Sequence, residues 1–451
     1  MGGVGLADDV ALLAGSLAKL QALLQLTKVY CVKFQVKLVG SKTKLIVYTN
    51  KSTEMQSKVE LATTIINVGG QNISPSYEAT HVGVVRCAEG NGPNISARLS
   101  AHRRAVYAVL HAGLGKGHRA NPAASIRIEK VFAIPVLLSG LASLVLSTKE
   151  ENIISQHHKV HMQRLLRLHQ ATPAPVVYFL AGCLPMQAQL HLRMFAMFGQ
   201  LCRLRSGDNI LARHALSVLS RGHSSSKSWF WRLRELCLQY GLPHPLAWLT
   251  SQPTKLQVKS MAKAAVLQYW LASLRDKAST LPSLLHLKTD YLGLTKCHPL
   301  FTTCGSSPWE VEKATTQARL LSGRYRVEAL SGHWTPWNKG GLCSLPGCWN
   351  TEHSHKGTVE SLLLSCQSLS STRDDLMHLC WSYLIKFPQL SPVIKSCLNL
   401  DAAQFWLDCS CMAPVISAVQ RYGEDVLHPL FRLSRNYCHV LHKARVSLLS
   451  E

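Results

Sequence analysis

Near residue 95 the apolar pattern changes period, and this limits the possible folds more than any other feature of the chain. Ahead of that point short apolar runs separated by turn residues read as strands. Gly3-Val4-Gly5-Leu6 and Val10-Ala11-Leu12-Leu13 flank Ala7-Asp8-Asp9 as strand, turn, strand. Leu17, Leu20, Leu23, Leu24 and Phe34 follow near helical spacing. A Gly40-Ser41 break then leads into the strand-like Lys44-Leu45-Ile46-Val47-Tyr48. Gly69-Gly70 between a β-rich run and Ile73 is a hairpin signal, and His81-Val82-Gly83-Val84-Val85 reads as a further short strand. Beyond residue 95 apolar residues recur at helical spacing near 96–112, 123–147, 150–169, 185–205, 227–240 and 255–290, and again from Val359 to the end. Asn121-Pro122, Thr172-Pro173-Ala174-Pro175 and Gly241-Leu242-Pro243 punctuate them. The expected class is α+β, a small hairpin-rich piece followed by a long, mainly helical region without internal repeats.

Charge narrows the choice of partner. The 451 residues hold 49 Lys and Arg against 25 Asp and Glu, with 47% hydrophobic residues, so the chain has ample core and a basic surface. The excess is uneven. No acidic residue lies between Glu89 and Glu129, a window holding Arg98, Arg103, Arg104, Lys116, Arg119 and Arg127. None lies between Glu151 and Asp208, a window holding Lys159, Arg164, Arg167, Arg193, Arg203 and Arg205. Two such windows read as surfaces facing phosphate, with nucleic acid the first choice of polyanion and an anionic membrane the second. A solvated basic surface on a helical scaffold is the third reading. The run Val131 to Ser147 is short for a span and contains Pro135 and Gly140, so a buried element is expected there and no membrane partner. Fifteen dispersed cysteines, with no basic segment ahead of the first apolar run, point to reduced and mostly buried thiols.

Two constellations carry chemistry. Adjacent carboxylates at Asp8 and Asp9 repel unless a cation lies beside them, and paired Mg²⁺ ions at such a turn suit nucleotidyl transfer. A double Asp alone is more often a helix start or a solvated turn. Cys343 and Cys348 bracket a turn, with His353, His355 and Cys366 beyond, a donor set that suits tetrahedral Zn²⁺. Buried, metal-free cysteines are the alternative, and they are the favoured reading for Cys409-Ser410-Cys411. Trp229, Trp231, Trp334 and Trp337 lie near basic residues. Base stacking and ordinary packing both remain open for them, with packing favoured.

The order of these pieces resembles the C-terminal half of a reverse transcriptase from a LINE-type (non-LTR) retrotransposon. The Ala7-Asp8-Asp9 turn, a helix ending near Tyr30-Cys31, and Ser41-Lys42-Thr43-Lys44 before a strand are similar to palm motifs C and D. The segment ending Thr80-His81-Val82-Gly83-Val84 looks like the primer-grip hairpin, and Pro135 to Gly140 like part of the thumb. Thr316 to Arg326, the cysteines near 345, and Tyr422 to Pro429 resemble the family's C-terminal region. The resemblance implies a partial reverse-transcriptase palm over 1–90, a basic thumb-like helical part over 91–220, a helical connection over 221–335, and a cysteine/histidine cluster with C-terminal helices over 336–451. It implies Asp8 as main Mg²⁺ ligand, Asp9 in support, and Lys42 near the phosphates of the incoming dNTP. It further implies contacts to an RNA template and a DNA primer or target through His81, Gly83 and the basic thumb residues. The family's first metal-binding Asp would lie in a polymerase half ahead of Met1, which makes this chain an incomplete enzyme by that expectation. A nuclear or cytoplasmic ribonucleoprotein would be its setting. Two departures stand out: Leu6 replaces the usual aromatic before Ala-Asp-Asp, and Ser361 replaces the usual zinc-knuckle histidine. Both also fit a non-catalytic nucleic-acid-binding remnant of a decayed element.

Overall fold

The computed structural model describes residues 2–6, 9–48, 65–68, 70–109, 120–204, 209–221, 228–325, 327, 341–346, 348 and 356–450. It is mostly helical with a few antiparallel strand pairs, which places the chain in the α+β class at a coarse level. Two compact units divide it, residues 1–103 with 136–151, and residues 104–135 with 152–451.

The first unit opens with β1 (Gly2–Leu6) and β2 (Asp9–Leu13), antiparallel from Gly2 opposite Leu13 to Leu6 opposite Asp9. That register leaves Ala7-Asp8 as a two-residue connection. Ser16 then caps α1 (Leu17–Lys33) by accepting from the Lys19 N–H at 3.4 Å. Leu20 and Leu24 of α1 pack against Ile66, Val68 and Ile73, which belong to the β3 (Ile66–Val68) and β4 (Gln71–Ile73) hairpin. The far side of α1 is apolar too: Leu26, Val29 and Val32 stay exposed.

The strand expected over Lys44–Tyr48 is reduced to a single bridge, Leu45 to Pro75. Pro75 has no N–H to donate, so a ladder cannot continue through it. The short strand expected over His81–Val85 is instead the tip of a hairpin joining β5 (Glu78–His81) to β6 (Val84–Cys87). Its turn residues Val82 and Gly83 have φ of 50° and 71°. Positive φ at both positions is what a tight hairpin turn requires, and it strains the β-branched Val82.

Helix α2 (Gly92–Val109) supports this hairpin, with Asn94 Oδ1 accepting from the Val85 N–H at 3.1 Å. The helix expected over 123–147 is broken into α3 (Pro122–Ile128), a π turn over Glu129–Ala133, and a short helical turn Ile134–Leu137. Pro135 supplies the reason, since its ring clashes with the carbonyl four residues back and removes one ladder hydrogen bond.

The second unit is built from helices. Following α3, its members are α4 (Thr148–Leu165), α5 (Ala174–Ala181), α6 (Met186–Leu204), α7 (Ile210–Arg221), α8 (Trp229–Gln239), α9 (Pro245–Ser251) and α10 (Lys255–Ser279). After them come α11 (Pro308–Leu321), α12 (Val359–Leu364), α13 (Ser370–Lys386), α14 (Ser391–Asp408), α15 (Ala413–Tyr422) and α16 (Leu427–Leu448). α10 stops well short of residue 290 because Pro282 cannot extend it. Gly182 ends α5 at φ +54°, and a Cβ there would sit 1.7 Å from the Lys296 carbonyl oxygen, so only glycine fits.

Polar side chains pin the C-terminal helices together. Gln317 Nε2 on α11 reaches the Trp406 carbonyl at 2.7 Å and Ser434 Oγ at 3.0 Å. It thereby satisfies a carbonyl left open at the end of α14. The Trp406 ring stacks on Tyr437 of α16 with centroids 3.8 Å apart and planes 8° from parallel. Arg435, buried on α16, donates to Thr303 Oγ1 at 2.7 Å and to the Thr303 carbonyl at 3.1 Å. The Thr316–Arg326 motif therefore starts as packing machinery.

Among the described residues one helical stretch, 388–422, is long and apolar enough to cross a membrane, with mean hydropathy 1.2. It is broken at Asp401 (φ −161°, ψ 96°), whose carboxylate caps the second segment through the Gln404 N–H at 2.9 Å. Val131 to Ser147 forms broken turns rather than one buried element: Ala133, Ile134, Leu137, Leu138, Leu141 and Leu146 are buried, while Val131, Phe132 and Pro135 are exposed.

Candidate metal centre and phosphate-facing residues

A buried thiol cluster is the best-formed candidate site. Leu342 bridges Lys356, and the Gly357 N–H donates to the Gly341 carbonyl at 2.8 Å, closing a loop at its base. Within the loop the Cys348 N–H donates to the Leu345 carbonyl at 3.1 Å, so the segment between the two cysteines is a tight turn, as its Pro-Gly sequence predicts. Cys366 arrives from the other side. It follows α12, which Thr358 caps through the Ser361 N–H at 3.0 Å, and its own N–H donates to the Ser361 carbonyl at 2.7 Å. Tyr437 of α16 anchors α12 by donating to the Leu363 carbonyl at 2.7 Å.

The three sulfurs lie within 4.8 Å of one another, and all three residues are buried. Cys366 Sγ is 3.9 Å from Cys343 Sγ and 3.6 Å from Cys348 Sγ. Tetrahedral zinc with Zn–S bonds of about 2.3 Å sets its sulfurs roughly 3.8 Å apart, whereas a disulfide needs about 2.05 Å. The spacing thus fits three ligands of one metal. The hydrogen bond with Cys366, together with burial, holds the Cys343 thiol well above the usual range. The reciprocal hydrogen bond from Cys343 lowers Cys366. A bound cation would favour loss of both protons. The group can hold a metal ion. His353 and His355, the expected nitrogen donors, lie outside the described residues. Ser361, where the resemblance led a histidine to be expected, is buried on α12. Cys409 and Cys411 are core residues whose thiols burial pushes up.

The acidic turn is described only by its flanks. Asp9 heads β2 opposite Leu6, and Asp8 lies outside the described residues. Lys42 is exposed at the end of a 3-10 turn, Gly40–Lys42. That turn lies against the β3–β4 hairpin so closely that a Cβ on Gly40 would meet the Val68 carbonyl at 2.7 Å.

The expected phosphate contacts fall into three groups. Arg103 and Arg104 on α2 and Arg164 on α4 are exposed. Arg98 is half-buried and bonds the Gly83 carbonyl, so both residues serve the β5–β6 turn, whose strand end carries the half-buried His81. Arg167 occupies the left-handed position that terminates α4 (φ 56°), with the Leu168 N–H donating to the Gln163 carbonyl at 2.9 Å. Lys116 and Arg119 lie outside the described residues. Trp229 is core, packed near Phe198, and Trp231 donates to Glu235 at 3.0 Å beneath Arg234. Trp334 and Trp337 are also outside the described residues.

A fully buried His–Asp pair, joined by the half-buried Ser410, is not visible in the sequence. His298 Nε2 lies 3.2 Å from Asp408 Oδ2, and Ser410 Oγ donates to Asp408 Oδ1 at 2.6 Å. The Ser, Asp and His types suggest a hydrolase, but the geometry is that of paired helix caps. His298 Nδ1 accepts from the Leu300 N–H at 3.2 Å, and Asp408 Oδ1 accepts from the Ser410 N–H at 3.1 Å. Both His298 and Asp408 side chains have zero exposure, so no substrate reaches them. An Asp directly ahead of Cys-Ser-Cys was the available signal.

No protein-family model, no curated protein and no solved structure matches the chain.

Proposed function

We propose that this chain is the nucleic-acid-holding portion of a LINE-type reverse transcriptase: part of the palm, a basic thumb and a zinc-organised C-terminal region. In the whole enzyme it would help extend a DNA primer on an RNA template with Mg²⁺ and dNTPs. The observation that carries the reading is the order of its first elements. Two paired strands, the second headed by Asp9, are followed by one helix, a lysine-bearing turn and two hairpins, and then by basic helices. The exposed apolar side of α1 supports it as well, because a palm helix would be covered by further sheet. Zn²⁺ is the metal assigned to Cys343, Cys348 and Cys366, with His353 or His355 as the nitrogen donor.

Two-metal transfer needs carboxylates on more than one element. β1, the strand paired with the one that Asp9 heads, carries none. Incubated with Mg²⁺, dNTPs and a primed RNA template, this chain alone is expected to give no extension product. Robust extension that Asp8→Ala abolishes would overturn the assignment of a partial site.

A second reading is a zinc-organised nucleic-acid-binding protein with no part in polymerisation. It is favoured by the three hairpins, which stand as separate two-stranded sheets among the described residues. Complementation separates the two readings: added palm segments restore extension only under the first.

A further inference from the structure

We propose that the face shared by α11 and α16 is a binding track for single-stranded nucleic acid, with Trp309 as its stacking platform and Lys443 and Arg319 as its phosphate contacts. The proposal rests on the nucleic-acid-binding reading above and locates it in a part of the chain outside both acid-free windows.

Trp309 sits in the first turn of α11 and is 51% exposed, although the rest of that helix is largely buried. The edge of His439 buttresses the indole at 5.0 Å between centroids. Lys443 Nζ lies 5.4 Å and Lys313 Nζ 5.7 Å from its centre. Glu310 already meets Lys313 at 2.8 Å, which leaves Lys443 as the available cation beside the ring.

His439, His442 and Lys443 recur at i, i+3 and i+4, so α16 presents them on one side. His442 Nδ1 pairs with Tyr325 OH at 2.6 Å, and the Arg445 guanidinium lies 5.5 Å from the Tyr325 ring centre. Arg319 is exposed and uses its Nε on the Arg167 carbonyl at 3.1 Å. Burial first, and then the neighbouring His439, Arg319, Arg445 and Lys443, push His442 down to about 4.

An exposed indole among cations offers a base a stacking surface and its phosphates a counter-charge, which is how strands without sequence preference are held. An acidic peptide would use the charges and leave the ring idle. An anionic membrane would draw on the same lysines, and anionic vesicles that compete as well as unlabelled oligonucleotide would overturn the track.

The test uses the full chain and a fluorescein-labelled oligouridine of about 15 nucleotides, with anisotropy read between about 50 and 200 mM salt. Trp309→Ala is expected to weaken binding about tenfold at either salt, and Trp309→Phe to weaken it less. Lys443→Gln is expected to reduce the salt slope by about 0.7. An unchanged melting curve for each variant excludes unfolding as the cause. Wild-type affinity in Trp309→Ala would overturn the track, as would competition by polyglutamate equal to that of unlabelled oligonucleotide. Wild-type chain that binds an RNA–DNA hybrid but no single strand would overturn the track and leave the broader reading intact. Binding neither would overturn both.

Discussion

Asp408→Ala should lower the stability of the second unit by about 3–5 kcal/mol, because it leaves the buried partners of one charge without an acceptor. His298 and Ser410 both donate to this carboxylate, and the His298 and Asp408 side chains are fully buried. Asp408→Asn should cost less, about 1–3 kcal/mol, since its carbonyl can serve one donor while its amide faces another. Urea unfolding of the three proteins measures the series, and an alanine variant as stable as wild type would show that the cap pair is idle. The pH dependence has a definite sign. Burial pushes the Asp408 carboxyl up, but attraction to His298 and the hydrogen bonds from His298 and Ser410 outweigh it, leaving the group below its ordinary range. A depressed carboxyl stabilises the fold above its unfolded value of about 3.9 and loses that contribution as pH falls through the folded value. The gap between wild type and Asp408→Ala should therefore be full at neutral pH and shrink in acid below about pH 4.

The second large effect concerns the thiol cluster. One zinc per chain is expected by metal analysis after purification without chelator, and Cys366→Ala should abolish it. At zinc about a thousandfold above its dissociation constant, binding adds about 4 kcal/mol to the folded state. Stripping the metal should therefore lower the melting temperature by several degrees. Cys397→Ala, which removes a buried thiol outside the cluster, should keep its zinc. Acid should release the metal, because the ligating thiols must lose their protons and Cys343 gives up its proton reluctantly. Full zinc occupancy in Cys366→Ala would refute the site. His353→Ala and His355→Ala then decide which histidine completes it.

Features that depend on near neighbours were legible in the sequence. The Ala7-Asp8 connection lies between paired strands, Gly69-Gly70 joins β3 to β4, and Asn121-Pro122 starts α3. The turn between Cys343 and Cys348 also followed from its residues, and Cys366 completed a cluster that spacing had suggested. Long-range pairings were hidden. His298 and Asp408 are 110 residues apart, and nothing local in either reveals the other. Arg98 and Arg167 were read as phosphate contacts because charge is visible in sequence. Their use in a hairpin turn and a helix end is not, since each depends on where a carbonyl or a left-handed residue falls in the fold. Trp309 was overlooked for the opposite reason, because an aromatic at helical spacing usually marks core, and its exposure emerges only once α16 lies beside α11.

The proposed function has this basic chain hold nucleic acid through phosphate contacts. It is tested most directly by titrating an RNA–DNA hybrid against the full chain at several salt concentrations. The log affinity is expected to fall linearly with log salt, with a slope reflecting several neutralised phosphates and reduced by about 0.9 for each of Arg103, Arg104 and Arg164 changed to Gln. No binding at about 50 mM salt, or binding indifferent to salt, would contradict it.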